Sequence, residues 1–76
     1  MEKEVVSKKA QFYLDTNTLV HITLSNNRFY NGNIKYIGID FLLMDELKFG
    51  EVCAFFAEIE DILPYREKVE TKKWNG

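Results

Sequence analysis

The sequence has few of the residues that cross-link small proteins or build metal sites. Its 76 residues include one cysteine, one histidine and one proline. A single Cys53 cannot form a disulfide within the chain, and one cysteine with one histidine cannot supply the four ligands of a structural zinc site. We therefore expect no metal and no cofactor. We also expect a domain of this size to gain stability by association with other chains.

Long apolar segments are missing as well. The longest uninterrupted apolar run extends from Val52 to Ala57, which is far too short to cross a bilayer. The chain begins Met1-Glu2-Lys3-Glu4, and no apolar core of the length that an export signal requires follows. These features predict a soluble cytoplasmic protein with no membrane partner.

The sequence also lacks an excess of positive charge, because its net charge is −2. From Asp15 to Tyr65 there are three basic and eight acidic residues, a balance of −5, whereas the two ends carry seven basic and four acidic residues, a balance of +3. The basic residues of the ends include Lys8, Lys9 and Arg66. A protein that binds nucleic acid over its whole surface is therefore not favoured, and any phosphate contact is expected at the ends.

No arrangement of catalytic residues is recognisable, so the sequence does not predict an enzyme. His21 occupies an outward position of a predicted strand and has no serine, cysteine or carboxylate at an informative spacing. Asp40, Asp45 and Glu46 lack the alternating oxygen ligands of a cation-binding loop and are interpreted as solvated turn carboxylates. Cys53 is interpreted as a small buried apolar residue.

Apolar periodicity and turn residues predict one helix followed by five short strands. Apolar residues recur at helical spacing over residues 2–14, and Asp15-Thr16-Asn17-Thr18 favours a loop after them. Ser25-Asn26-Asn27 is typical of a hairpin turn. The strands are predicted at residues 19–24, 28–35, 41–45, 52–57 and 62–65.

Gly32 lies inside the second predicted strand, where glycine indicates a sharp bend or a close approach of another backbone segment. Pro64 cannot donate to a strand ladder, so it is expected either in an edge strand or at the end of a strand. The pattern predicts an all-β fold, a small and strongly bent five-stranded antiparallel barrel with an N-terminal α-helix. The domain is expected to occupy residues 1–66, and residues 67–76, which include Trp74, are expected to form a polar tail.

The order of these elements resembles the Sm-like family of small ring-forming barrels, and in particular its bacterial branch, the RNA chaperone Hfq. An unrelated SH3-like barrel is the alternative interpretation. The matching segments are Val20-His21-Ile22-Thr23-Leu24, Gly32-Asn33-Ile34, Phe41-Leu42-Leu43-Met44 and Ile62-Leu63-Pro64-Tyr65-Arg66.

The resemblance implies RNA binding and a homomeric ring of six or seven subunits, in which the fourth strand of one subunit pairs with the fifth strand of the next. A strand as apolar as Val52–Ala57 would promote aggregation if its edge stayed open, which independently favours such pairing. The residues expected at the subunit interface are Val52, Ala54, Phe55, Phe56, Ile62 and Leu63.

The pore residues of the family are not matched here. The positions where the family carries an aspartate, a stacking aromatic or histidine, and a base-reading asparagine fall on Gly38, Asp40 and Leu42. The last loop, where the family has an Arg-Gly or Lys-His pair, falls on Glu58-Ile59 or Phe56-Ala57. The expected pore would present Asp40, with Glu58 and Glu60 as further candidates, and symmetry would repeat these carboxylates into rings that repel phosphate.

RNA contacts are therefore predicted outside the pore. The candidate residues are Lys8, Lys9, Phe29, Tyr65 and Arg66, since Phe29 and Tyr65 are expected to be exposed aromatics and the other three carry positive charge. The alternative function is a divergent Sm-like ring that acts as a protein-interaction scaffold and does not bind nucleic acid.

Overall fold

The computed structural model describes residues 2–66 as one helix and five strands, so the predicted tail at 67–76, with Trp74, lies outside the described residues. The helix α1 spans Lys3–Asp15. The strands are β1 (Leu19–Leu24), β2 (Phe29–Ile37), β3 (Phe41–Glu46), β4 (Gly50–Phe55) and β5 (Ile59–Pro64), with a 3-10 turn at Phe56–Glu58 before β5.

All strand pairs are antiparallel and form one sheet in the order β4-β3-β2-β1-β5. The predicted all-β class, with five antiparallel strands after an N-terminal helix, is therefore confirmed. The predicted barrel is not confirmed: the sheet is not closed, because β4 and β5 lie at its two ends. Each of these edges leaves a row of backbone groups without a neighbouring strand in the described chain.

The core lies between the inner face of the sheet and helix α1. In β1 the side chains alternate as predicted, with Val20, Ile22 and Leu24 buried and their neighbours half-buried. Helix α1 contributes Val6 and Ala10, which are fully buried. The rest of the core consists of Ile34, Leu42, Met44, Ala54, Phe56, Ile59 and Ile62.

Polar residues end the helix and turn the first hairpin, as predicted. Thr16 donates its backbone N–H to the carbonyl of Phe12 at 3.0 Å, and Asn17 then adopts a φ of 53°. Asn27 has a φ of 68° between β1 and β2. Asparagine tolerates this left-handed conformation better than most residues, which is why these two positions can reverse the chain.

Gly32 lies against the backbone of β3, which confirms the close approach predicted for this glycine. A Cβ built at this position would lie 2.8 Å from the carbonyl carbon of Asp45 and 2.9 Å from the Cα of Glu46, and it would clash with the carbonyl oxygen of Asp45. Gly32 is opposite Glu46 in the β2 and β3 register. The strand pair can approach this closely only because residue 32 has no side chain.

The second half of the chain differs from the prediction in its element boundaries. Strand β4 ends at Phe55, and the next three residues form a 3-10 turn rather than the end of a long strand. Two hydrogen bonds hold this turn, from Phe56 N–H to the Asp40 carbonyl at 2.9 Å and from Ser25 N–H to the Glu58 carbonyl at 2.8 Å. Strand β5 consequently begins at Ile59, three residues earlier than predicted.

The interpretation of Cys53 as a buried residue is wrong, because its side chain is exposed. Cys53 lies on β4, an edge strand, and faces away from the core, which is filled by its neighbour Ala54. Within residues 2–66, no helix is both long and apolar enough to cross a membrane.

Candidate functional site

The outer face of β5, β1 and β2 carries an open groove of about 580 Å³. The strand register places Leu63 opposite His21, and His21 opposite Asn31, so the three side chains form a row across this face. Tyr65 is held beside the row because its backbone N–H donates to the Leu19 carbonyl at 2.8 Å. The lining of this first groove consists of His21, Asn31, Leu63, Pro64, Tyr65 and Arg66.

A hydrogen bond between His21 and Asn31 fixes the floor of the first groove. His21 Nδ1 lies 2.5 Å from the side-chain oxygen of Asn31. A carboxamide oxygen can only accept, so Nδ1 is the donor in this contact. The ring of His21 also packs against that of Phe29, with centroids 5.2 Å apart. The side chain of His21 therefore makes a polar contact with Asn31 and an aromatic contact with Phe29.

A second groove of about 460 Å³ lies beside the first, between β2 and the turn that joins β3 to β4. It shares Asn31 and Tyr65 with the first groove. Phe29 is 55% exposed in its wall, and Arg28 and Lys48 add positive charge. Its other lining residues are Asn27, Tyr30, Glu46, Leu47 and Phe49.

The interpretation of Glu46 as a solvated turn carboxylate is wrong, because only 6% of its surface is exposed and it is the one buried charged residue among those described. Its carboxylate accepts backbone N–H groups from Asn31 at 3.0 Å, Lys48 at 2.7 Å and Phe49 at 2.9 Å. The bond from Asn31 lowers the pKa of Glu46 most; burial opposes this, while the bonds from Phe49 and Lys48 and the charge of Lys48 lower the pKa further. Glu46 is thus held as a carboxylate.

Three of the predicted RNA-binding residues come together on this face. Phe29 lines the second groove, Arg66 the first, and Tyr65 both. Phe29 is exposed as predicted, whereas Tyr65 is half-buried. Lys8 and Lys9 lie on helix α1 and belong to neither lining.

Lys9 is paired with a carboxylate of β5. Its Nζ lies 3.2 Å from Asp61 Oδ1, and both side chains are partly exposed. Asp61 is the cross-strand neighbour of Thr23, whose neighbour on the other side is Phe29. The ion pair of Lys9 and Asp61 therefore lies two strands away from Phe29. The carboxylate of Asp61 offsets part of the positive charge of Lys9.

The positions that correspond to the family pore carry no base-reading group. Leu42 is fully buried in the core, and Gly38 closes the turn between β2 and β3 by donating to the Phe41 carbonyl at 2.7 Å. Asp40 and Glu58 are exposed. The hydrogen bond from Phe56 to Asp40 joins their two turns, so these carboxylates lie at the same end of the sheet.

The residues expected at a subunit interface divide into two groups. Ala54, Phe56 and Ile62 are buried in the core of the chain itself, and Val52 packs against that core. Phe55 and Leu63 are 49% and 46% exposed and lie on the two edge strands. Phe55 also ends an aromatic row with Phe41 and Tyr36, whose successive ring centroids are 6.4 Å and 6.1 Å apart.

The sequence did not identify Asn31, Glu46, Leu47 and Phe49 as members of the site. A signal for Asn31 was present, because it alternates with Phe29 on the outer face of β2. No signal pointed to Glu46, since its role depends on backbone groups that approach only in the folded chain. Within residues 2–66, no group of three or more histidine, cysteine or acidic side chains could hold a metal ion.

Comparison with known proteins adds no family assignment. No family model matches the chain, and no curated protein matches it.

Proposed function

We propose that this protein is an Sm-like, Hfq-like ring protein that binds single-stranded RNA on the outer face of its sheet, away from a non-standard acidic pore. The observation that carries the proposal is the meeting of Phe29, Tyr65 and Arg66 around two adjoining grooves. Single-stranded RNA is recognised by stacking of bases on aromatic rings, by polar groups at the base edges and by cations near the phosphates.

The two grooves supply each of these groups. Phe29 and Tyr65 offer rings for stacking, and the pair His21 and Asn31 offers donors and acceptors at the floor. Arg66 lies at the first groove, and the second adds Arg28 and Lys48, which are two of the three cations between Asp15 and Tyr65. Three of the ten basic residues of the chain therefore lie beside Phe29 and Tyr65.

The order of strands supports the Sm-like part of the proposal. A helix precedes five antiparallel strands, Gly32 allows a close backbone approach in β2, and β4 and β5 lie at the sheet ends. Pairing of β4 with the β5 of a neighbour would satisfy the backbone groups of both edges. Head-to-tail pairing of this kind closes into a ring, for which six or seven subunits are proposed.

The test is the affinity of the full chain for short U-rich, A-rich and mixed RNAs, measured by fluorescence anisotropy over a range of salt concentrations. We expect measurable binding that weakens steeply with salt. Tyr65→Ala should weaken it, with Tyr36→Ala as the matched control, because Tyr36 is exposed near the opposite end of β2 from Phe29 and lines neither groove. Arg66→Glu should weaken binding and flatten the salt dependence, whereas Lys35→Glu should change it less.

A protein-interaction scaffold is the second candidate function. It is favoured by the exposed apolar side chains around the aromatic row, which include Ile39 at 82% exposure in the turn between β2 and β3. The same experiment separates the two functions. Absence of RNA binding even at low salt would reject the RNA proposal and favour the scaffold.

A further inference from the structure

We propose that Glu46 is a positioning residue that sets the separation of the two walls of the second groove. The predicted effect of Glu46 on RNA binding rests on the function proposed above, because the second groove is part of the proposed RNA site. Its structural part can be tested without RNA. One wall of this groove is β2 with Phe29 and Asn31, and the other is the turn with Leu47 and Phe49.

The carboxylate of Glu46 joins these walls through different oxygens. Oε2 accepts the backbone N–H of Asn31 in β2 at 3.0 Å. Oε1 accepts the N–H groups of Lys48 at 2.7 Å and Phe49 at 2.9 Å in the turn. The β2 and β3 register ends at the pair Gly32 and Glu46, so the side chain of Glu46 satisfies Asn31 just past the end of the ladder.

A second backbone contact makes this connection rigid. The carbonyl of Asn31 accepts the N–H of Leu47 at 2.8 Å. Asn31 is therefore tied to the turn through both of its backbone groups, while its side chain holds His21. If the turn between β3 and β4 shifted, Asn31 would move with it and would displace His21 in the floor of the first groove. The exposed side chains that line the second groove would move as well.

Only a carboxylate can accept hydrogen bonds from both walls of the groove at once. Its two oxygens both accept, whereas the glutamine amide has one accepting oxygen and one donating nitrogen. In Glu46→Gln, the nitrogen would face N–H donors at one wall, and at least one buried donor would be left without an acceptor. The substitution changes the hydrogen bonds while conserving the size of the side chain.

The experiment compares Glu46→Gln with Glu51→Gln in the full chain. Glu51 is the control because it is an exposed carboxylate on the neighbouring strand β4. Amide hydrogen exchange should become about tenfold faster in Glu46→Gln at the wall that loses its acceptor, which is either Asn31 or the pair Lys48 and Phe49, because a tenfold change corresponds to about 1.4 kcal/mol, the size of one hydrogen bond. Glu51→Gln should leave these three amides unchanged.

RNA affinity supplies the functional readout. Glu46→Gln should weaken binding by about tenfold while the slope against salt stays the same, since a carboxylate neutralises no phosphate. Unchanged or stronger binding by a folded Glu46→Gln would overturn the positioning role. If the wild-type chain binds no RNA, the proposed function fails, and the exchange rates alone decide whether Glu46 holds the groove.

A measurement on the wild-type chain covers the case in which Glu46→Gln does not fold. With glutamate labelled at its carboxyl carbon, the Glu46 signal and the amide protons of Asn31, Lys48 and Phe49 should titrate together in acid. A common midpoint below the ordinary range supports the proposal. Independent titration of Asn31 and the turn amides would show that one carboxylate does not hold both walls and would overturn it.

Discussion

The backbone carbonyl of Asp45 occupies the space that a side chain at Gly32 would need. Backbone atoms of a paired strand cannot move aside as the end of a flexible side chain can, so the two strands would have to separate. We expect Gly32→Ala to lower the free energy of unfolding by about 2 kcal/mol or more. Urea denaturation followed by circular dichroism measures this loss.

Gly50 provides the matched control for this substitution. Nothing lies within 4 Å of a Cβ built at Gly50, but the residue has a φ of 79°. Gly50→Ala should therefore reduce stability by about 1–2 kcal/mol through backbone strain alone. An equal or smaller loss for Gly32→Ala would contradict the close approach of β2 and β3.

Local sequence patterns predicted much of this fold because they depend on neighbouring residues. Alternation in β1, the positive φ of Asn27 and the need for glycine at position 32 are all visible in short segments. The end of β4 was not predicted, because Phe56 leaves the ladder to donate to Asp40, which is distant in sequence. Long-range hydrogen bonds of this kind have no local signature.

The candidate site was predicted only in part, for the same reason. Phe29 and Tyr65 could be recognised as outward aromatic residues, and both line a groove. The pairing of His21 with Asn31 depends on the register of β1 and β2, and the role of Glu46 depends on a turn in another hairpin. An exposed Cys53 was missed because an apolar segment does not reveal which face an edge strand leaves uncovered.

The buried carboxylate of Glu46 should make stability depend on acid pH. The folded chain holds the pKa of Glu46 below its ordinary value of 4.5, so the unfolded chain binds the proton more readily. Its stabilisation is fully present above the ordinary pKa and is lost as pH falls through the lower folded value. Glu46→Gln should cost about 1–3 kcal/mol at neutral pH.

The measurement is the free energy of unfolding between pH 7 and pH 3 for the wild type, Glu46→Gln and Glu51→Gln. The wild type and Glu51→Gln should lose stability steeply in acid, whereas Glu46→Gln should show a shallower loss, because the titrating carboxyl has been removed. Parallel curves for all three proteins would contradict the assignment.

The bond between His21 and Asn31 should be detectable as an energetic coupling. We expect a double-mutant cycle with His21→Ala and Asn31→Ala to give a coupling of about 0.5–1.5 kcal/mol, the usual size for one hydrogen bond. Urea denaturation of the four proteins supplies the values. Pairing His21→Ala with Asn33→Ala is the control, because Asn33 lies opposite Leu19 rather than His21. Equal coupling in both cycles would show that the interaction is not specific.

The two open edge strands predict that the proposed ring depends on an apolar side chain at Phe55. Phe55→Arg should dissociate the proposed ring, because the arginine would place charge on the apolar edge that a neighbour's β5 would cover. Phe12→Arg is the control, since Phe12 is 60% exposed on helix α1 and belongs to neither edge strand. Sedimentation velocity should give a ring mass for wild type and Phe12→Arg. A monomeric wild-type chain at micromolar concentration would reject the assembly.

The charges of the helix and of the pore positions should affect RNA in opposite directions. Replacing Lys8 and Lys9 with glutamate should weaken binding and reduce the salt slope by roughly 0.7 for each phosphate that is no longer neutralised. Asp40→Asn should leave binding unchanged or strengthen it, because Asp40 is exposed and symmetry would repeat its charge around a ring.

Asp61→Asn separates the contribution of Lys9 from that of Lys8. It removes the carboxylate that lies 3.2 Å from the Lys9 ammonium. Because the pair is partly exposed, the substitution should change stability by at most about 1 kcal/mol. RNA binding should strengthen, since no carboxylate would offset the charge of Lys9. Glu60→Gln should have a smaller effect, because Glu60 has no such pair among the described residues.

One outcome would contradict the predictions for both the lysines and the pore positions. If binding fell with Asp40→Asn and survived the replacement of Lys8 and Lys9, RNA would be bound at the pore positions and not at the outer face.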